Sequence, residues 1–258
     1  MQDKFDSLDH LYEESLITIE RFVRLLAEVV PQPQLVAYQG SFVYRHLEKS
    51  IEQAIVQKLV RMVNTLHAAQ LLQNHGFVQE QGALQRILDE IQEDISFLAY
   101  AVIFDDLTDL HRRYLDAFFE EEFDATDALG STQKRPMIRR KKIRAYIARK
   151  EGSDPSLLVE VSRTLSSTFS GYVHAASPHI MDLFSGNPPR FHMRGMRGTP
   201  LHLIHQKDLW NHFYRGTMAL VFAAKALDDD VLFTEILAYS RWFKLTSVDE
   251  SGKAPGSH

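Results

Sequence analysis

The chain has 258 residues, of which 45% are hydrophobic and 24% charged, so it is long enough to bury a sizeable core. Its 29 Lys and Arg residues against 34 Asp and Glu residues give a net charge of −5, so any binding to nucleic acid must be local. The absence of cysteine excludes disulfides, thiolate metal sites and a cysteine nucleophile. The N-terminal segment has no apolar stretch typical of a secretory signal, and the longest apolar run is about half of a membrane span, so we expect a cytoplasmic protein without membrane contact.

Apolar residues recur at three- and four-residue steps in the first part of the chain, and this period predicts amphipathic helices. The first predicted helix spans residues 6–30 and ends at Pro31. The second begins with Ser41 as its N-cap and continues to Gly76. The third spans residues 78–104 and is expected to pack antiparallel to the second.

The second part of the chain is predicted to contain shorter helices separated by polar or Gly- and Pro-rich connections. In chain order these are a helix at 107–123, a connection at 124–136, a basic helix at 137–150, a helix from Pro155 that Pro178 interrupts or ends, a loop at 185–200, and helices at 206–227 and 229–245. No segment shows the sustained alternation of strands. We therefore predict one all-α domain over residues 1–246, a helical bundle with long antiparallel helices, followed by a disordered tail at 247–258.

The helix that Pro155 is expected to open carries a polar stripe. Arg163, Ser167, Ser170 and His174 fall at steps of four, three and four residues, so they share one helix face. In a functional interpretation His174 acts as an acid or base, a hydroxyl assists it, and the arginine stabilises a phosphate. In the alternative interpretation these residues are an ordinary solvated side of the helix.

A second polar pair lies on the third predicted helix, where Arg86 and Glu90 are spaced i,i+4 and Glu93 follows. Such pairs usually decorate an exposed helix face. If the pair instead meets Ser170 and His174 across the bundle, the four residues would line a cleft and form a candidate catalytic site.

Histidines and carboxylates are the metal ligands open to a chain without cysteine. Six of the twelve histidines lie between residues 174 and 212, and His202 and His205 are spaced i,i+3. No Glu-x-x-His pair elsewhere completes a di-iron bundle site. The sequence therefore predicts no metal and no cofactor.

Two basic segments are candidate anion-binding sites. Residues 134–150 hold nine basic side chains in seventeen positions with an apolar side, a pattern that favours contact with a phosphate backbone unless the acidic run at 120–124 neutralises it. In the Gly-rich loop, arginines stand beside glycines that permit close backbone approach to an anion, although the loop could instead bind a partner protein or be flexible. The candidate anion-binding residues are Arg139, Arg140, Lys141, Lys142, Arg144, Arg194 and Arg197.

The segments LLQNHGFVQEQGALQRILDEIQEDISFLAY, RRYLDAFFEEEF and TLSSTFSGYVHAAS resemble a family of all-helical bacterial proteins of unknown function. In that family an R-x-x-x-E helix precedes a Ser-x-Tyr-Val-His helix. The resemblance covers about residues 71–177. It implies that the motif residues are Arg86, Glu90, Ser170 and His174.

That family is similar to the HEPN superfamily of helical bundles, which implies a HEPN-like fold. Many members are metal-independent RNases of defence and toxin systems that use an arginine followed, after four to six residues, by a histidine. Arg61 with His67 and Arg197 with His202 have this spacing. The resemblance, together with the long second helix, also suggests a homodimer.

Two functions therefore stay open. The first is a HEPN-like, non-catalytic interaction module of bacterial stress or defence that binds RNA or a partner protein. The second is a metal-independent RNase, in which His174 or His67 acts as general base toward a ribose 2′-hydroxyl and Arg61, Arg86 or Arg163 stabilises the phosphate. On base rates we favour the first.

Overall fold

The computed structural model describes residues 2–121, 125, 129–131, 138–154, 156, 160, 164 and 168–251, with side chains described between residues 8 and 246 of these ranges. The helices are α1 (Gln2–Glu28), α2 (Ile51–His75), α3 (Val78–Ile103), α4 (Asp109–Phe119), α5 (Arg140–Lys150), α6 (Ser177–Met181), α7 (Pro200–Ala226) and α8 (Asp230–Ser251). Two small antiparallel pairs are formed by β1 (Gln34–Tyr38) with β2 (Ser41–Arg45) and by β3 (Phe184–Ser185) with β4 (Arg190–Phe191). The predicted all-α helical bundle is confirmed, whereas its HEPN-like character stays a prediction.

α3 is the central helix of the bundle, because it packs along α2, α5 and α7. A continuous hydrophobic core includes Tyr12 of α1, Leu59 of α2, Phe97 of α3, Phe213 of α7 and Phe243 of α8. Burial of apolar surface of this extent is the main stabilising contribution to the fold. In the described part of the chain, no helix is long and apolar enough to cross a membrane.

The start of the second helix was predicted wrongly, because residues 34–45 form the hairpin β1–β2 instead. Gln39 and Gly40 have φ values of 47° and 79°, which suit a two-residue hairpin turn. α2 begins only at Ile51. Its N-cap is Ser50, whose hydroxyl accepts from the Gln53 backbone N–H while the Gln53 side chain accepts from the Ser50 backbone N–H.

The hairpin β1–β2 presents an apolar face to solvent. Leu35 pairs with Tyr44 and Ala37 with Phe42, and all four lie on the exposed side. The opposite side carries Val36 and Val43, which are half-buried.

Helix boundaries differ from the predictions at several other points. α7 begins at Pro200 rather than at residue 206, because the Thr199 hydroxyl accepts from the backbone N–H of His202 and caps the helix. α8 continues to Ser251, so residues 247–251 of the predicted disordered tail are helical, and residues 252–258 lie outside the described residues. Residues 168–173 are helical, and the positive φ of Ala175 separates them from α6.

Candidate functional site

The predicted pair Arg86–Glu90 forms on α3. Arg86 Nε and Nη2 donate to Glu90 Oε1 at 3.0 and 2.7 Å, and both side chains are partly buried. The backbone carbonyl of Glu90 accepts a further hydrogen bond of 2.9 Å from Arg140 of α5. The pair therefore lies at the junction of α3 and α5 rather than on a fully solvated face.

The helical residues 168–173 approach this part of α3 closely. The ring of Tyr172 lies over Gly82, where an added Cβ would stand 2.7 Å from ring carbon Cδ2. Gly82 precedes Arg86 by four residues, so the two lie on one face of α3. The segment that ends at His174 therefore reaches the same stretch of α3 as the Arg86–Glu90 pair.

The four motif residues form two pairs, one on α3 and one at the end of the segment that contacts α3 through Tyr172. The His174 backbone N–H donates to the Ser170 carbonyl at 3.0 Å, the Ser170 side chain is half-buried, and that of His174 is exposed. No hydrogen bond or ion pair among the described residues joins Arg86 or Glu90 to Ser170 or His174. Of the other stripe residues, Arg163 and Ser167 lie outside the described residues.

Beneath this segment lies a polar interface that the sequence did not predict. Glutamines of α2 and α3 donate their side-chain amides to backbone carbonyls of α7 histidines, and all of these side chains are buried. The bonds run from Gln73 to His202 at 3.2 Å, from Gln81 to His205 at 2.9 Å and from Gln92 to His212 at 2.8 Å. We call these six residues, together with Gln85 and Asp89, the glutamine–histidine seam.

Two histidines of the seam, His205 and His212, are held neutral by burial. Desolvation lowers the pKa of His205 to about 4 and that of His212 to about 3, with smaller contributions from neighbouring His202 and Arg215. His212 Nδ1 lies 3.9 Å from Asp89, which instead pairs with Arg215. Neither histidine is therefore a cation at neutral pH.

The segment 168–173 covers the seam through two aromatic side chains. The Tyr172 hydroxyl lies 3.3 Å from His205 Nε2, and Phe169 packs edge-on against the ring of His212. His202 makes its own bonds, because its Nε2 donates to the Gln73 carbonyl at 2.6 Å and its Nδ1 accepts from the Gly198 backbone N–H at 3.2 Å. In the predicted Arg197–His202 pair, the histidine therefore helps to hold α7 against α2.

The side chains of the predicted Arg61–His67 pair do not share a site. Residues six apart on a helix project roughly 120° apart, and the two side chains accordingly have different surroundings. His67 Nε2 lies 2.6 Å from Glu20 Oε1 of α1, while Arg24 donates to the other oxygen of Glu20 at 2.9 Å. Arg61 instead lines a cleft near the hairpin. Glu20 and Arg24 were not predicted, because nothing in the spacing of α1 alone shows that this face meets α2.

The basic helix α5 divides its cations between two faces. Arg144 donates to Glu93 at 2.8 Å, and Arg140 donates to Glu93 at 2.6 Å and also pairs with Asp94. The neutralising acids therefore lie on α3. Glu121, from the acidic run that was the predicted alternative, is paired with Arg45 of β2 at 2.7 Å.

The remaining predicted cations of this segment are exposed around the start of α5, where Arg139 is the N-cap residue. Arg139, Lys141 and Lys142 are exposed, and Arg149 in the last turn of α5 is exposed as well. Among the described residues, none of these four forms an ion pair. This row of side chains is available to an external anion.

The loop arginines Arg194 and Arg197 are also exposed, but their loop is tied to the bundle. Met196 between them is buried, and its backbone N–H donates to the Gly76 carbonyl at 2.7 Å. A side chain at Gly76 would collide with the backbone of this loop. The glycine that ends α2 therefore also permits the docking of the Arg-rich loop.

Within the part of the chain that the structure describes, no group of three or more His, Asp or Glu side chains is arranged to hold a metal ion. No family model matches the chain, and no curated protein or solved structure is significantly similar to it. The family resemblance of the motifs, and the homodimer that it suggests, therefore stay predictions.

Proposed function

We propose that this protein is a non-catalytic, HEPN-like helical module that binds RNA through the outer face of α5. The observation that carries the proposal is the row Arg139, Lys141 and Lys142, exposed and without an ion pair among the described residues. In a chain with a net charge of −5, a local group of unpaired cations is a distinct electrostatic feature. A phosphate backbone is the polyanion that such a row recognises without reading base sequence.

The inner face of α5 supports this role because it fixes the helix in place. Ile143, Tyr146 and Ile147 are buried against the core, and Arg140 and Arg144 are held by carboxylates of α3. The outer cations therefore project from a rigid support, so binding RNA orders only their own side chains.

The test is binding of a labelled, unstructured 20-nucleotide RNA at several salt concentrations, followed by fluorescence anisotropy. The triple variant Arg139→Gln, Lys141→Gln, Lys142→Gln should bind weakly. Because each phosphate contact on a single strand contributes about 0.7 to the slope of log K against log salt, loss of three contacts should reduce that slope by about 2.

A matched control removes three exposed cations from other elements, namely Arg113, Lys207 and Arg241, again as glutamine. This control has the same net charge and should retain most of the wild-type affinity and slope. Equal losses in both triples would show only the effect of net charge and would contradict the α5 site. If wild type binds no RNA even at low salt, the partner is a protein or another anion.

A second candidate function, a metal-independent RNase, is favoured by the hydrogen bond between His67 and Glu20. A carboxylate that holds one ring nitrogen of a histidine orients the ring and leaves the other nitrogen to take a proton. Arg24 on the same carboxylate supplies a nearby cation for a phosphate.

This candidate is tested by incubating the purified protein with total RNA and tRNA in EDTA. Cleavage that His67→Ala abolishes and His174→Ala leaves intact would establish an RNase centred on His67. The reverse pattern would assign it to His174, and absence of cleavage by every variant would leave the binding module as the function.

A further inference from the structure

A cleft of about 490 Å³ lies between the C-terminal part of α1, the open end of the hairpin β1–β2 and the first half of α2. Its volume falls within the range of roughly 300–1,000 Å³ that is typical of small-ligand sites. Its aliphatic lining is formed by Ala27 of α1, Val30 just after α1, Val56 of α2, and Val60 of α2, which is exposed at the rim. It is a different surface from the outer face of α5.

The polar residues of the cleft narrow the choice of ligand. Arg61 is exposed at its margin and is the only charged side chain among its described lining residues, and no described residue forms an ion pair with it. His46 Nδ1 lies 3.0 Å from the Pro31 carbonyl, which only accepts, so this nitrogen carries the proton. The described lining thus offers an anion one unpaired guanidinium.

Other classes of ligand fit this cleft poorly. Its described lining contains no Phe, Tyr or Trp side chain on which a nucleobase could stack. It contains no carboxylate that would complement a cation.

We propose that this cleft binds an amphiphile with an aliphatic body and a single carboxylate head. The aliphatic body covers Val30, Val56 and Val60, and the carboxylate pairs with Arg61. Asn64, one turn beyond Arg61 on α2, lines the same margin and offers its amide as a further donor.

The test is isothermal titration with decanoate below its micelle concentration, alongside decanol and decyltrimethylammonium as probes with the same chain. Decanoate should bind wild type saturably with a stoichiometry near one, and at least about tenfold more tightly than either other probe, because a charge-assisted hydrogen bond is lost in each. Arg61→Gln should weaken decanoate binding about tenfold and leave decanol binding unchanged. Val60→Asn should weaken all three probes.

The matched control is Arg113→Gln, an exposed arginine of α4 outside the cleft, which should bind decanoate as wild type does. Amide chemical-shift changes on adding decanoate should centre on residues 56–64. The proposal is overturned if decanoate and decanol bind equally, if Arg61→Gln and Arg113→Gln behave alike, or if the shifts centre on the exposed face of the hairpin. Because Arg61 and Val60 are exposed, circular dichroism should show that both variants remain folded.

Discussion

The side-chain amide of Gln81 donates a hydrogen bond of 2.9 Å to the backbone carbonyl of His205, across the interface of α3 and α7. One turn further along α3, Gln85 is fully buried, and neither atom of its amide has a hydrogen-bond partner among the described residues. Two glutamines of the same helix and similar burial therefore differ in hydrogen bonding: the Gln81 amide nitrogen is bonded and its Oε1 is not, whereas neither atom of the Gln85 amide is bonded among the described residues.

Replacement of each glutamine by leucine, which has a similar volume, should separate these contributions. Gln85→Leu should raise the free energy of unfolding by about 1 kcal/mol, because it removes a buried amide whose desolvation cost is not offset by a hydrogen bond. Gln81→Leu should lower it by about 1 kcal/mol, because it removes a net favourable hydrogen bond. Urea unfolding checks both, and destabilisation by Gln85→Leu would indicate that ordered water bonds this amide.

The buried histidines predict a loss of stability in mild acid. Desolvation lowers the pKa of His111 and His205 to about 4 and that of His212 to about 3, against about 6.5 in the unfolded chain. The unfolded state therefore binds more protons below pH 6.5, so stability falls as pH decreases from there toward 4. At pH 5 the loss should be about 2 kcal/mol for each histidine.

The measurement is the free energy of unfolding in urea from pH 7.5 to 5. His212→Gln should reduce the pH slope by about one third, whereas His10→Gln, which changes an exposed histidine, should leave it unchanged. Asp9 and Asp208, whose pKa values burial raises, act in the opposite sense at the acid end of the range. Stability that does not change between pH 7 and 5 would contradict neutral burial of these rings.

The three- and four-residue spacing of apolar residues predicted the helical bundle well, but it did not predict which polar residues are buried. Gln81, Gln85 and Gln92 follow the same three- and four-residue steps as the leucines of α3. Glutamine and histidine on a helix usually face solvent, so their spacing alone gave no reason to place them in an interface. Burial depends on which helices pack together, and the sequence of one helix does not specify its neighbour.

The hairpin β1–β2 was missed for a related reason. Its run LVAYQGSFVY carries apolar residues on both faces, so the alternation that marks a half-buried strand is weak. Ser41 also satisfied the preference for an N-cap, and Ser50 nine residues later satisfies it with a complete capping box. A two-residue connection ending in glycine was the available signal for the turn.

The ion pairs between α5 and α3 predict a large difference between two cations of the same helix. Arg144 is buried and donates to Glu93, whereas Lys142 is exposed. Arg144→Met should lower the free energy of unfolding by about 1.5–3 kcal/mol, because it removes a charge-assisted hydrogen bond to the partly buried Glu93, which keeps its ion pair with Arg140. Lys142→Met should change it by less than about 0.5 kcal/mol.

A double variant isolates the charge from the packing. Arg144→Met combined with Glu93→Gln should recover part of the loss, because the partly buried charge of Glu93 is removed together with its partner. Urea unfolding of the four proteins forms the cycle. If the double variant is less stable than Arg144→Met alone, Glu93 is stabilised mainly by Arg140 and the pair with Arg144 is minor.

Two helical glycines predict opposite effects of alanine and test the position of the segment 168–173. An added Cβ at Gly82 would stand 2.7 Å from the Tyr172 ring, whereas at Gly216 its nearest neighbour would be Leu66 Cδ1 at 3.5 Å, an ordinary contact. Gly216→Ala should therefore stabilise the protein by up to about 1 kcal/mol through helix propensity. Gly82→Ala should destabilise it by about 1–3 kcal/mol, because Tyr172 must move and its contact with His205 is lost. Amide hydrogen exchange should then accelerate at residues 168–173 in Gly82→Ala and not in Gly216→Ala. Only the substitution at Gly82 displaces the helical segment that carries Ser170. Equal exchange in both variants would show that Tyr172 does not anchor this segment to α3.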